Sequence, residues 1–364
     1  MKPIKVGLYC DREDWILGTI ARQIERVHGR SGKFEFLVSS WQKFMDSPID
    51  QTLRLRECDV VHWIEPGGYM RFGSLIRGTP QICTIHHSLP GDGRRAEHYV
   101  GARVLTVSEM SRNELVSRGF PDPAVINTGI DESLFTPLDR NSCRRDLDIA
   151  TDRLMIGFFG KESSNPSDRK GVQTLIESVS ILAPELPLAV MLSGEGWDDL
   201  TNRLESLGAQ VFHRPVDTLD KMSLLYGAID LYLCTSRIEG GPVPVLEAMA
   251  CARPVVSTPV GHIPELIQDG INGLIVPIDA PQQTAEAVRR VLSDPELKRR
   301  LAEAGRATIL ASWTWDKVLK PIGPIYERVA ALSDNTRSNG VSATKAMLML
   351  LLRSAKHKVR SASR

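Results

Sequence analysis

Leu231-Tyr-Leu-Cys-Thr235, followed at once by Ser236-Arg-Ile-Glu-Gly-Gly-Pro-Val-Pro-Val-Leu-Glu-Ala-Met-Ala-Cys251, is the stretch on which the fold turns. The opening run is short, apolar and rich in residues that suit a buried strand. After it come Glu239, the glycine pair Gly240-Gly241, a proline, and an apolar run that carries Glu247. Strand, glycine turn, proline near a first helical turn, then helix is the order of a βα unit beside a ligand crevice. Glycines without a Cβ allow the backbone to come close to a ligand. A helix opening near Pro242 points N–H groups and the positive end of its dipole at an anion.

The same alternation runs outward in both directions. Toward the N-terminus, strands are expected at Lys5–Cys10, Phe34–Ser39, Val60–Ile64, Gln81–His86, Arg103–Ser108 and Ala124–Ile130, with helical periodicity from Trp15 to Ile24. Leu154–Gly160, Leu188–Gly196 and Gln210–Val216 continue the pattern. Strands alternating with helices imply mostly parallel sheets covered on both faces, with ligands at the carboxyl ends of the strands. That rule selects Asp11 to Trp15, Glu65 to Gly68, His86-His87 and Ser108-Glu109. At 364 residues the chain is expected to hold two domains.

Composition excludes several function classes. The formal charge is +1, with 24% charged and 42% hydrophobic residues, so there is no electrostatic case for a nucleic-acid partner. Six scattered cysteines form no Cys-x2-Cys pair and read as reduced core thiols. The first residues are too short in apolar length for a signal peptide, which implies a cytoplasmic protein. From Ser333 onward, seven Lys and Arg face one acid, Asp334. Residues 343–360 suit an amphipathic helix on the inner face of an anionic membrane, a helix packed on the body, or a disordered segment.

The run from Glu239 through Glu247 to Pro277 resembles the Glu-x7-Glu region of glycosyltransferase family 4, the retaining group 1 glycosyltransferases of the GT-B fold. Thr84-Ile-His86, Leu105–Arg112, Val125–Asp131, Lys161, Arg169-Lys-Gly171, Leu188–Gly196 and Ala311–Lys320 extend the likeness. The fold it implies is α/β: two Rossmann-like parallel-sheet domains facing across a cleft, with a C-terminal helix crossing back. The expected boundaries are 1–140 for the acceptor-side domain and 141–310 for the nucleotide-sugar domain. Residues 311–332 form the crossover and 333–364 a basic tail. The activity implied is transfer of a sugar from a nucleoside-diphosphate-sugar to a hydroxyl acceptor, carbohydrate or lipid-linked, in polysaccharide or glycolipid synthesis. A non-catalytic nucleotide-sugar-binding scaffold, or an epimerase of the same architecture, is the alternative.

Residue roles follow from the same resemblance. Glu239 stands at the transferred sugar with His86, Gly240 and Gly241 orient it, and Val243 is among the residues that bind the donor. Glu247 receives the ribose hydroxyls as an ionised carboxylate, and His86 donates a hydrogen bond to sugar or phosphate. Lys161, Arg169 and Lys170 clamp the diphosphate, and Val216 lies beside the base. Fixed cations stabilise a departing diphosphate without a metal, so no metal and no cofactor is expected. Lys161 stands where arginine is usual, which keeps the charge and loses the bidentate fork. The loop Asp11–Gly18 carries one glycine where relatives carry more. There Asp14, Trp15 and Gly18 either line the acceptor pocket or pack the helix start.

Overall fold

The apolar runs that alternate with helical segments condense into two six-stranded sheets, every pairing parallel. The structure is a computed structural model that describes residues 2–86, 93–150, 152–160, 169–215 and 218–332. The chain divides into two units. Of the described residues, the first comprises those within Met1–Val107, Ser111–Ile126 and from Leu319 to Leu332; the second comprises those within Ser108–Met110 and Asn127–Val318.

In the first unit, β1 (Ile4–Cys10), β2 (Phe34–Ser40), β3 (Val60–Trp63), β4 (Gln81–Ile85), β5 (Ala102–Thr106) and β6 (Ala124–Val125) lie in the order β2-β1-β3-β4-β5-β6. The order reverses between β1 and β3, where the segments after those strands diverge and leave a crevice. The helix Ile16–Gly29 buries Gly18, Ile20, Ala21 and Ile24 and presents its charged face to water. β6 is shorter than the expected Ala124–Ile130 strand. Ile126 N–H still reaches Thr106 O, but Ile130 bonds to Trp313 O and bridges to Thr314 within the second unit. The helix Ile322–Ala330 packs on β1 and β3. Its Tyr326 sits edge-on to Phe34 and Phe36, and its hydroxyl meets the buried His62 Nδ1 at 2.8 Å.

In the second unit, β7 (Leu154–Phe159), β8 (Leu188–Ser193), β9 (Gln210–His213), β10 (Leu231–Cys234), β11 (Val255–Ser257) and β12 (Leu274–Ile275) lie in the order β12-β11-β10-β7-β8-β9. β7 and β8 are buried on both faces for nearly their whole length, which explains continuous apolar runs instead of alternation. Two hydrophobic layers, one including Leu246, Met249 and Tyr226 and the other Leu175, Trp197 and Leu233, cover the sheet. At its amino end, Asp230 is fully buried and bonded to Arg140, Arg144, Lys298 and Met155 N–H at 2.6–2.9 Å. Burial alone would raise its carboxyl; Lys298, the Met155 amide and Arg140 hold it below the usual range. The order reverses between β7 and β10, so the crevice of this unit lies past Phe159 and Cys234.

Candidate functional site

The residues past those two strands hold one another in place through backbone and side chain. β10 is followed by Thr235, whose hydroxyl donates to Lys170 O and Gly171 O, both at 2.9 Å. Arg237 N–H donates to Arg169 O at 2.8 Å. The turn Arg169-Lys170-Gly171 is therefore fastened to the end of β10 before the helix Val172–Leu182 begins. Gly171 is obligatory there: its φ is +64°, and a Cβ would lie 1.9 Å from Thr235 O. β7 is followed by Gly160, at φ +148°, with the Lys170 side chain directly over it. The buried Trp197 fixes this strand end by donating from Nε1 to Gly160 O at 2.8 Å.

This framework puts Lys170 Nζ 2.7 Å from Glu239 Oε1. Arg169 reaches Glu239 Oε2 at 3.7 Å, and the Ser236 hydroxyl is 3.3 Å from Oε1. The Glu239 side chain is 12% exposed and that of Lys170 24%. Arg169 Nε is buried without a hydrogen-bond partner among the described residues. Two cations and one carboxylate from segments about seventy residues apart thus meet at the reversal between β7 and β10.

The glycine pair has a different cause from close ligand approach alone. A Cβ on Gly241 would lie 2.4 Å from His262 Nδ1, and one on Gly261, at φ +54°, 2.4 Å from Gly240 O. Segments 240–241 and 261–262 pack face to face, so the turn is braced from beneath by the fully buried His262 ring, which lies 5.0 Å from Trp313. Burial drives the His262 imidazole down to a pKa of about 3, leaving it neutral. The helix that follows is Val243–Ala250; Pro242 caps it without a side-chain bond, and Val245 N–H turns back to Pro242 O. Val243 therefore opens the helix immediately beside Gly241.

Glu247 lies one to two turns into that helix, 7% exposed, its Oε2 accepting from Tyr226 Oη at 2.6 Å. Burial raises its carboxyl to a pKa of about 7, with the Tyr226 hydrogen bond opposing the rise. This corrects the expectation of a plainly ionised carboxylate: near neutrality the group is shared between acid and base forms.

In the first unit, His86 follows β4, and its Nε2 is 2.7 Å from Ile64 O. A carbonyl only accepts, so Nε2 carries the proton, and in the neutral ring Nδ1 is the acceptor nitrogen. The expectation that a neutral His86 donates to phosphate is corrected accordingly; the neutral ring is suited to accept from a hydroxyl. Glu65, after β3, is spent on capping the helix Pro66–Phe72 through the Gly67 and Gly68 amides. After β1, Arg12 forms a bidentate pair with Asp14 at 2.7 and 3.0 Å and stacks over Trp15 at 5.2 Å. Trp15 is 47% exposed, so it is not a core residue. Gly18 is a packing glycine, since a Cβ would meet the Glu13 backbone at 2.3 Å.

The structure thus brings Arg169, Lys170 and Glu239 together in the second unit and sets Gly240, Gly241, Val243 and Glu247 along the same turn and helix. Asp14, Trp15 and His86 stand past strand ends of the first unit, and Gly18 lies in the first turn of the helix Ile16–Gly29. Lys161, Val216, His87 and the basic segment 343–360 lie outside the described residues. Tyr226, Thr235, Ser236 and His262 are additions for which the sequence held no spacing signal. Among the described residues there is no group of three His, Cys, Asp or Glu side chains placed to hold a metal, and no helix long and apolar enough to cross a membrane.

Comparison with known proteins follows the same lines. Residues 153–294 match the family of glycosyl transferases group 1. An alpha-maltose-1-phosphate synthase of Mycolicibacterium smegmatis is 27% identical over 296 residues, covering 71% of this chain and 75% of the relative. A D-inositol 3-phosphate glycosyltransferase of Actinosynnema mirum is 29% identical, over 62% of this chain and 57% of its own length. Among solved structures, Anabaena HepE in complex with UDP and glucose superposes with a TM-score of 0.72 at 18% identity, over 89% of this chain and 100% of its own. Sucrose-phosphate synthase of Thermosynechococcus elongatus gives 0.71 at 16% identity, over 90% and 99%. The two-sheet α/β architecture is GT-B. Over residues 153–294 the chain is similar to the group 1 glycosyl transferases.

Proposed function

We propose that this protein transfers a hexosyl group from a nucleoside-diphosphate-sugar to a hydroxyl of a carbohydrate or lipid-linked acceptor, with retention of anomeric configuration and without a metal. The observation that carries the reading is the meeting of Arg169, Lys170 and Glu239 at the reversal between β7 and β10. Charge grows on the leaving diphosphate as the bond from sugar C1 to phosphate oxygen breaks. Two fixed cations beside the start of the helix Val172–Leu182 stabilise that charge. The acceptor oxygen forms its bond to C1 on the face the diphosphate leaves, and its proton passes to a phosphate oxygen. Glu239 holds sugar hydroxyls during this exchange, Glu247 receives the ribose hydroxyls, and His86 Nδ1 accepts from a sugar hydroxyl. Solved relatives in complex with UDP and glucose, and with UDP-glucose, support a donor of this class.

The test is a panel of nucleotide sugars scored for release of free nucleoside diphosphate in EDTA, with Glu239→Ala in parallel. Release from one donor that persists in EDTA and is lost in the variant is the expected result. Release that EDTA abolishes would refute the metal-independent mechanism, and binding of no donor would refute the reading as a whole.

A further inference from the structure

Glu239 and the diphosphate make opposed demands on one ammonium group. Lys170 Nζ, laid over Gly160, donates to Glu239 at 2.7 Å. Among the described residues, the Ser236 hydroxyl at 3.3 Å and Arg169 at 3.7 Å also lie beside the carboxylate. A diphosphate drawn to Arg169 and Lys170 takes up the charge that balances Glu239 and places further negative charge beside it. Like charges at this range, in a site largely removed from water, repel appreciably. A sugar attached to the diphosphate changes the balance, because its hydroxyls are donors that replace the ammonium at the carboxylate. A bare diphosphate offers no such replacement.

From this arrangement, and resting on the donor reading above, we infer that Glu239 is a selectivity residue that makes the site prefer nucleotide sugar over nucleoside diphosphate. It does so by exchanging Lys170 for sugar hydroxyls when the intact donor binds. Once the sugar has left, Glu239 loses those donors and reclaims Lys170, which promotes departure of the diphosphate product. The same carboxylate thus positions the sugar and limits product retention.

The experiment compares affinities of wild-type protein and Glu239→Gln for UDP, GDP and ADP and for their glucose esters, by calorimetry, with Glu239→Ala as a second variant. Gln keeps shape and hydrogen-bonding capacity while removing the charge. The nucleoside diphosphate that wild-type protein binds is expected to bind Glu239→Gln about tenfold more tightly, equivalent to about 1.4 kcal/mol. The glucose ester should gain nothing or weaken, so the preference for the ester collapses. Glu239→Ala should move the bare diphosphate in the same direction. Unchanged or weaker diphosphate binding in both variants would overturn the inference, showing that Glu239 serves to orient Lys170 toward phosphate. Failure of wild-type protein to bind any of these ligands is a separate result, and it would overturn the donor reading itself.

Discussion

Replacing Glu247 by Gln should change how the stability of the second unit depends on pH. The wild-type carboxyl is buried against Tyr226 and titrates at about 7 instead of its ordinary 4.5. The folded protein therefore holds this proton more tightly than the unfolded chain. Between pH 4.5 and pH 7 the folded state binds more protons, so this group lowers stability as pH rises. The penalty is absent below about 4.5 and complete above about 7. A shift of two and a half units, at 1.36 kcal/mol per unit, makes it about 3 kcal/mol. Gln accepts the Tyr226 hydrogen bond through its amide oxygen and carries no such penalty. The stability of Glu247→Gln minus that of wild type should grow by about 3 kcal/mol between pH 4.5 and pH 8. For a domain of this size that is roughly 6–12 °C in relative melting temperature. Thermal unfolding of both proteins, followed by tryptophan fluorescence across this range, measures the difference directly. A difference independent of pH would refute the claim that burial holds Glu247 partly protonated.

Three further outcomes follow from the same geometry. If ribose hydroxyls bond to ionised Glu247, donor affinity should rise about tenfold between pH 6 and pH 8; calorimetry on wild type should show this and Glu247→Gln should not. Gly171→Ala, at φ +64° and 1.9 Å from Thr235 O, should cost about 2 kcal/mol or more in urea unfolding and weaken donor binding by displacing Lys170. Gly241→Ala should destabilise through its clash with the His262 ring, and His262→Ala should relieve most of that cost, a coupling of about 1–3 kcal/mol in a double-mutant cycle.

The two sheets were legible because their strands are continuous apolar runs ended by glycine or polar residues. Ile4–Cys10, Leu154–Phe159 and Leu231–Cys234 fall within a residue or so of where the pattern places them. The run Ala124–Ile130 misleads, since its apolar residues serve two units and only Ala124 and Val125 pair in the first sheet. Residue types at the candidate site were legible from the Glu-x7-Glu run, while their chemical states depend on distant partners. The proton position on His86 is set by Ile64 O, and the ionisation of Glu247 by Tyr226 and burial. Gly241 is glycine because a histidine twenty-one residues later occupies the space of its side chain. Local spacing encodes none of these.

The most direct test of the central claim is the anomeric configuration of the first-formed product, read by proton NMR while an α-linked nucleotide-sugar donor is consumed in EDTA. An α-configured transferred sugar, formed by wild-type protein and not by Glu239→Ala, is the predicted result. A β-configured product, or α product formed equally well without Glu239, would contradict the account.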